Sequence, residues 1–137
     1  MTDYSKFISD ESSEIKALVN KILNHSLLNG DNRKWVNHRD REFDCTDGGC
    51  IDFYEDTIKH STMGVTYIVK LLQKYKPTRI LEVGMNAGSF SIIAKLTLGD
   101  VKVYTVDRVW EFTERAKQIN EFFGENLIKL FHGSSDT

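Results

Sequence analysis

The order of the apolar segments in the second half of the chain is the feature that most restricts its fold. Short apolar runs of strand length occur at 79–83, 101–106 and 127–131. Segments with helical spacing of their apolar residues, 90–98 and 111–123, lie between them. Strands and helices that alternate at this spacing predict a βαβαβ unit with parallel strands and right-handed crossovers. We therefore predict an α/β fold with a Rossmann-like three-layer core and the strand order 3-2-1.

The first half of the chain has a different pattern. Apolar residues at helical spacing predict a helix over 12–29, and a second helix over 62–75. The stretch between them, 30–50, is rich in Gly, Asp and Asn and is predicted to be a long loop. We accordingly divide the chain into an N-terminal helical and loop extension, 1–60, and a Rossmann-like half-domain, 61–137.

Composition excludes several classes of function. Lys and Arg number 18 against 20 Asp and Glu, and this balance argues against a nucleic-acid partner, which normally meets a basic face. No apolar run reaches the roughly 18 residues that cross a bilayer, and the N-terminus has no pattern of a secretory signal. Cys45 and Cys50 are predicted to be ordinary thiols rather than zinc ligands, because no second pair accompanies them. We predict a cytoplasmic protein without a metal, a nucleic-acid partner or a membrane partner.

The loop after the first predicted strand carries residues suited to binding a ligand. Gly84 and Gly88 allow a sharp turn and a close approach of the backbone to a ligand. The helix that begins near Ser89 offers N–H groups to an anion. Asp107 closes the second strand, 23 positions after Gly84. Because neighbouring parallel strands end at the same edge, its carboxylate is expected beside the loop, where it can accept both hydroxyls of a ribose.

Glu82 distinguishes between two classes of cofactor. A dinucleotide site requires Gly-x-Gly-x-x-Gly, and here the three positions are Gly84, Asn86 and Ser89. A carboxylate two residues before the loop would repel a pyrophosphate, whereas it would attract an amino group or a sulfonium. The loop therefore favours a sulfonium cofactor, and a nucleotide-binding oxidoreductase is the weaker alternative.

Residues 61–137 resemble the first half of a class I S-adenosylmethionine-dependent methyltransferase, of the small-molecule O-methyltransferase or methyltransferase domain 24 type. Glu82-x-Gly84-x-Asn86-x-Gly88 is similar to the first motif of that family, Asp/Glu-x-Gly-x-Gly-x-Gly, from which Asn86 departs. Asp107 matches the acid that follows the second strand in the family.

The resemblance implies S-adenosylmethionine as the cofactor and a role for each matching residue. Glu82 would receive the amino group and Asp107 the ribose, while Asn86 and Ser89 would make polar contacts at the carboxylate end. Gly133-Ser134-Ser135 is similar to the turn near the adenine, although Ser134 stands where an acid is frequent, and Trp110 could flank the adenine ring. Met63-Gly64 stands where the family begins a helix beside the methionine moiety. The implied cofactor-binding residues are Glu82, Gly84, Asn86, Gly88, Ser89, Asp107, Arg108, Ser134, Met63 and Gly64.

Each of the main site residues also has a purely structural interpretation. Gly84 and Gly88 could be ordinary glycines of a strand-to-helix turn. Asp107 could be the N-cap of the helix over 111–123. Glu82 could pair with a nearby Lys or Arg.

The predicted sheet leaves its first strand at an edge, although residues 80–83 are apolar on both faces apart from Glu82. An exposed apolar edge promotes association. We expect this one to be covered by further chain, by a second copy in a homo-oligomer, or by the N-terminal 60 residues. The family sheet has seven strands, so we expect a half-domain truncated after the third.

These observations together predict the cofactor-binding portion of an S-adenosylmethionine-dependent methyltransferase. Its acceptor would be a small molecule. No catalytic base is assigned, because in the family such groups follow later strands. The alternative is a truncated, non-catalytic module that binds S-adenosylmethionine or a nucleotide, or that serves in assembly.

Overall fold

A computed structural model of the chain describes residues 1–45, 51–108 and 112–133. These residues form five α-helices and five strands, with short 3₁₀ helices at Ser5–Phe7 and Asp31–Arg33. The helices are α1 (Ser13–Leu23), α2 (Ser26–Asn29), α3 (Ile58–Tyr75), α4 (Ser89–Leu98) and α5 (Phe112–Phe123). The strands are β1 (Lys34–Val36), β2 (Glu42–Asp44), β3 (Arg79–Val83), β4 (Lys102–Asp107) and β5 (Ile128–His132).

The second half of the chain forms a parallel sheet of three strands. The strands lie in the order β3-β4-β5, with α4 and α5 as the connections between them. Residue Glu82 of β3 lies opposite Thr105 of β4, and Asp107 of β4 lies opposite His132 of β5. The prediction of an α/β fold built on a parallel βαβαβ unit is confirmed, and each predicted strand agrees with the structure to within one residue at either end.

The predicted helix over 12–29 is in fact two helices. Ser12 caps α1 by accepting the N–H of Ile15, and α1 ends at Leu23. The side-chain amide of Asn24 then donates to the carbonyl oxygen of Thr2, 22 positions earlier in the chain. His25 starts α2, because its Nδ1 accepts the N–H of Leu27. Apolar periodicity continues through this break, so the sequence pattern could not show it.

The predicted loop over 30–50 contains a β-hairpin, so that prediction is wrong for β1 and β2. The two strands are antiparallel, and the rings of Trp35 and Phe43 stack with their centroids 5.5 Å apart. The side chain of Asn37 accepts the N–H groups of Arg39 and Arg41 and so closes the turn. Strands of three residues are too short to show the alternation that identifies a strand in a sequence. Cys45, which follows β2, is disulfide-bonded and is not the free thiol that was predicted.

The helices and the N-terminal elements all pack on one side of the parallel sheet. Successive right-handed crossovers in one direction place α4 and α5 on the same face. The N-terminal elements pack on these helices, since α1 contacts α3 and α4, and β1 contacts α5. The described residues therefore form two of the three predicted layers. No helix among them is both long enough and apolar enough to span a bilayer.

The other face of the sheet is open in the described part of the chain. Leu81 and Val83 on β3 are 74% and 66% exposed, and Phe131 on β5 is 46% exposed. At the outer edge of the sheet, β3 pairs with β4 alone among the described strands, so no described strand of the N-terminal 60 residues pairs with that edge. Coverage by a second copy or by further chain stays a prediction, as does the division of the chain at residues 60 and 61.

Candidate functional site

The loop between β3 and α4 has an unusual backbone. Gly84, Asn86 and Gly88 all have positive φ angles, of 88°, 52° and 80°. Glycine adopts such angles freely, and asparagine is among the few other residues that tolerate the left-handed region. Asn86 is therefore one of the few residues other than glycine that tolerate the backbone conformation of this position.

The two glycines of this loop have different surroundings. A Cβ atom on Gly88 would lie 2.5 Å from Cδ1 of Ile119, so this glycine allows α5 to approach the loop closely. A Cβ atom on Gly84 would meet nothing within 4 Å in the described part of the chain. Gly88 therefore has a packing role, whereas Gly84 leaves space beside the end of β3.

Asp107 holds the loop against the end of β4. Its Oδ2 atom accepts the N–H of Met85 at 2.8 Å and the N–H of Asn86 at 3.3 Å. The N–H of Gly84 donates to the carbonyl oxygen of Val106 at 2.8 Å. The Asp107 residue is 7% exposed. The buried carboxylate of Asp107 therefore fastens two successive N–H groups of the loop to the end of β4.

Glu82 lies on the same face of the sheet, one strand away. Its Oε1 atom is buried and has no hydrogen-bond partner among the described residues. Burial raises the pKa of Glu82 to about 7; the Thr105 hydroxyl opposes this shift and the negative charge of Asp107 adds to it. No ion pair joins Glu82 to a Lys or Arg within the described ranges. The alternative that Glu82 serves only as the partner of a nearby cation is therefore not found among these residues.

The remaining predicted residues divide into two groups. Ser89 is the first residue of α4, and the exposed Arg108 directly follows β4, so both lie at the carboxyl edge of the sheet. Met63 and Gly64 lie on the exposed side of α3. There Met63 lines a cavity of about 550 Å³ with Tyr67, Leu71 and the segment 7–11, and no loop residue lines it. The structure thus does not show Met63 and Gly64 at the glycine loop.

Several predicted contacts fall outside the described residues. Ser134, Ser135 and Trp110 belong to this group, as does Cys50. The described Gly133, which precedes the predicted adenine turn, donates its N–H to the carbonyl oxygen of Asp107 at 3.1 Å. Gly133 therefore lies at the same edge of the sheet as the glycine loop. Within the described ranges no cluster of His, Cys, Asp and Glu could hold a metal ion.

Sequence reasoning missed one residue of the site, Arg115 on α5. This residue is fully buried, and its Nε donates to the carbonyl oxygen of Ala87 in the glycine loop at 2.8 Å. The available signal was its position, because Phe112, Arg115, Ala116 and Ile119 share one face of the helix. An arginine within an apolar helical stripe indicates a buried guanidinium with partners elsewhere in the fold.

Comparison with known proteins gives limited information on this chain. No protein-family model matches it, and no curated protein matches it. A solved structure of a candidate O-methyltransferase from Nostoc punctiforme PCC 73102 is similar, with 18% sequence identity and a TM-score of 0.43. The similarity covers 96% of this chain and 38% of that one, so this chain spans little more than a third of its length. These values do not define a family for the chain.

Proposed function

We propose that this chain is the cofactor-binding portion of an S-adenosylmethionine-dependent methyltransferase that acts on a small-molecule acceptor. The observation that carries this proposal is the position of two carboxylates on either side of the glycine loop. Glu82 and Asp107 stand at the carboxyl ends of adjacent parallel strands and on the same face of the sheet. Ligands of open α/β sheets bind at this edge.

Asp107 is placed where a ribose would be held. Its carboxylate lies at the end of β4, beside the glycine loop, and accepts the N–H groups of Met85 and Asn86. In open α/β sheets, a carboxylate at the end of the strand next to such a loop binds the hydroxyls of a ribose. The group that shapes the loop would therefore also bind the ribose of the ligand.

Glu82 supports a cationic ligand. Burial makes the ionised form unfavourable in the protein alone and raises the pKa of Glu82 to about 7. Among the described residues, its Oε1 has no hydrogen-bond partner. An ammonium or sulfonium group beside it would supply the missing opposite charge and favour ionisation. A pyrophosphate at the same place would add a second negative charge, so the dinucleotide alternative is disfavoured.

The loop and α4 provide the remaining features that such a ligand needs. No described residue would meet a Cβ atom on Gly84, so within the described ranges a ligand can approach the backbone there. The first turn of α4 follows directly and offers backbone N–H groups to a carboxylate. A carboxylate, an amino group and a ribose would thus each meet a complementary group along one edge.

When bound, S-adenosylmethionine supplies the methyl group that is transferred. The residues of this chain would bind and orient the donor. Holding the reacting groups in one orientation supplies a large part of the rate acceleration in a displacement reaction. We assign no residue of the described ranges to the removal of a proton from the acceptor.

Titration calorimetry tests the proposal directly. We expect S-adenosylhomocysteine and S-adenosylmethionine to bind, and NAD not to bind. The substitution Asp107→Ala should weaken S-adenosylhomocysteine binding by at least about tenfold, because it removes a charged acceptor. Asp100→Ala is the matched control, since this exposed aspartate precedes the opposite end of β4. The affinity of this variant for S-adenosylhomocysteine should equal that of the native protein.

Two results would contradict the proposal. One is binding of NAD with an affinity equal to that of S-adenosylhomocysteine. The other is unchanged affinity in Asp107→Ala with an intact fold. Because Asp107 also fastens the loop, Glu82→Gln serves as a second variant, and it should weaken the binding of the cationic donor without removing a contact to the loop.

A further inference from the structure

Arg115 is a charged residue in an apolar interior. Its side chain is among the largest of the fully buried ones, and it shares its helical face with Phe112, Ala116 and Ile119. A guanidinium without water is stable only where acceptors surround it. Burial lowers the pKa of Arg115 to about 10, and the negative charge of Asp44 opposes this shift, so the group is charged at neutral pH.

The acceptors of Arg115 come from two distant parts of the chain. Nε donates to Ala87 in the glycine loop at 2.8 Å. Nη1 donates to the carbonyl oxygen of Asn32 at 2.9 Å, and Nη2 donates to the carbonyl oxygen of Leu27 at 2.5 Å. The guanidinium also lies 5.2 Å from the centre of the Trp35 ring. One rigid, planar group therefore connects the loop to residues 27–35.

Gln118 strengthens the connection on the N-terminal side. Its Oε1 accepts from Nη1 of Arg115 at 2.7 Å. Its Nε2 donates to the carbonyl oxygens of Asn32 at 3.0 Å and Lys34 at 2.8 Å. Gln118 thus holds the N-terminal segment and the guanidinium together, although it does not itself contact the loop in the described hydrogen bonds.

The peptide groups of the loop are held from two sides. Asp107 accepts the N–H groups of Met85 and Asn86, and Arg115 donates to the carbonyl oxygen of Ala87. A displacement of the guanidinium would release the loop on one side while Asp107 kept its hold on the other. The planar fork of an arginine meets several fixed carbonyls at once, and the single ammonium of a lysine does not.

We propose that Arg115 is a positioning residue for the glycine loop, and that through it the packing of residues 27–34 determines how well the loop binds its ligand. The inference deepens the proposed function and takes its ligand from it. The coupling itself is a property of the protein without ligand, so it can be measured separately.

Amide hydrogen exchange of the full chain without ligand tests the coupling. The amides of Met85 and Gly88 report on the loop, since they donate to Asp107 and to the carbonyl oxygen of Met85. In Arg115→Lys we expect both to exchange about tenfold faster, because a buried, charged hydrogen bond to the loop is lost. Gln118→Ala should accelerate exchange in 32–34 and, to a smaller extent, at the same two loop amides.

A control separates positioning from general loss of stability. Val69→Ala removes methyl groups from a fully buried residue on α3 and leaves every contact of Arg115 in place. At a temperature where Val69→Ala and Arg115→Lys have lost the same unfolding free energy, only Arg115→Lys should weaken S-adenosylhomocysteine binding, by about tenfold.

The outcomes are distinct for the two proposals. If Met85 and Gly88 exchange no faster in Arg115→Lys than in Val69→Ala, the positioning role is overturned. If Gln118→Ala releases 32–34 and leaves the loop amides unchanged, the coupling is overturned, and this variant decides the matter even if Arg115→Lys does not fold. Failure of the native chain to bind S-adenosylhomocysteine would overturn the proposed ligand, while the exchange rates would still decide the role of Arg115.

Discussion

The two faces of the parallel sheet differ sharply although the same strands form both. Along β3, Ile80 and Glu82 point to the helices, whereas Leu81 and Val83 point away and are 74% and 66% exposed. The apolar content of the two faces is similar, so hydrophobicity alone does not say which face is covered. The right-handed crossovers decide it, because they bring both connecting helices to one side.

The covered face also contains the candidate site. Along β4 it changes from Val103, which is fully buried, through Thr105 to Asp107 at the carboxyl end. The polar groups are thus placed at the carboxyl edge of the sheet, beside the glycine loop. On the open face, β3 shows no such change from apolar to polar residues. The last two side chains that β3 places on this face before the glycine loop are the apolar Leu81 and Val83.

A charge placed on each face should produce the largest difference. Val103→Asp puts a carboxylate into the core and is expected to lower the free energy of unfolding by at least about 4 kcal/mol. Val83→Asp, the same substitution on the open face, is expected to change it by about 1 kcal/mol or less. Chemical denaturation of both variants measures the difference. Equal destabilisation would show that the second face is also covered in solution.

The two loop glycines should show a smaller version of the same contrast. Gly84→Ala is expected to lower the free energy of unfolding by about 1 kcal/mol, because alanine is strained at positive φ. Gly88→Ala adds the close contact with Ile119 and is expected to reach about 3 kcal/mol.

A double-mutant cycle tests the origin of that extra loss. Ile119→Val removes the Cδ1 atom that the new methyl group would meet. Gly88→Ala should therefore be less destabilising in the Ile119→Val background than in the native protein, and Gly84→Ala should be unaffected by it. Strict additivity of Gly88→Ala and Ile119→Val would show that the contact with α5 is not the reason.

The third prediction, with the smallest expected effect, concerns how stability changes with pH because of Glu82, which lies on the covered face. Its pKa is about 7 in the folded protein against an ordinary value of 4.5, so the folded state retains a proton that the unfolded state loses. Stability therefore falls as the pH rises from 4.5 to 7 and stays at the lower level above pH 7. Glu82→Gln removes this loss, and we expect its Tm to exceed that of the native protein by about 5 °C at pH 8.

Below pH 4.5 the advantage of Glu82→Gln should disappear, since Glu82 is then protonated in both states. Glu121→Gln, on the exposed side of α5, is the matched control and should show no such crossover. Thermal melts of the three proteins between pH 4 and pH 8 provide the measurement. A Tm difference that is the same at every pH would contradict the raised pKa.

The parallel sheet and its helices could be predicted from the sequence because their signals are local. Residues 79–83 were predicted as a strand and form β3 without a shift, and the helix predicted over 90–98 begins one residue earlier. The position of Asp107 beside the loop follows from topology, since neighbouring parallel strands end together. Local apolar periodicity and a rule of connection were sufficient for these features.

The N-terminal region could not be predicted as well, for two reasons. The strands of the hairpin have three residues each and are too short to show an alternating pattern. At the break between α1 and α2, Asn24 contacts Thr2, 22 positions earlier, and apolar periodicity does not register such a contact. Arg115 was missed because its contacts are also long-range. Its acceptors include backbone carbonyls as far as 88 positions away. Every residue carries a backbone carbonyl, so the amino-acid sequence does not show which of them accept from Arg115.

The sequence separation of the Arg115 contacts has a consequence for the order of folding. Leu27 and Asn32 precede Arg115 by 88 and 83 positions, and contacts over such distances form late, after the chain between them has been ordered. The strands and helices after residue 79 can assemble earlier through neighbouring segments. The glycine loop would then reach its final form only in the last stage, when residues 27–32 pack against the guanidinium.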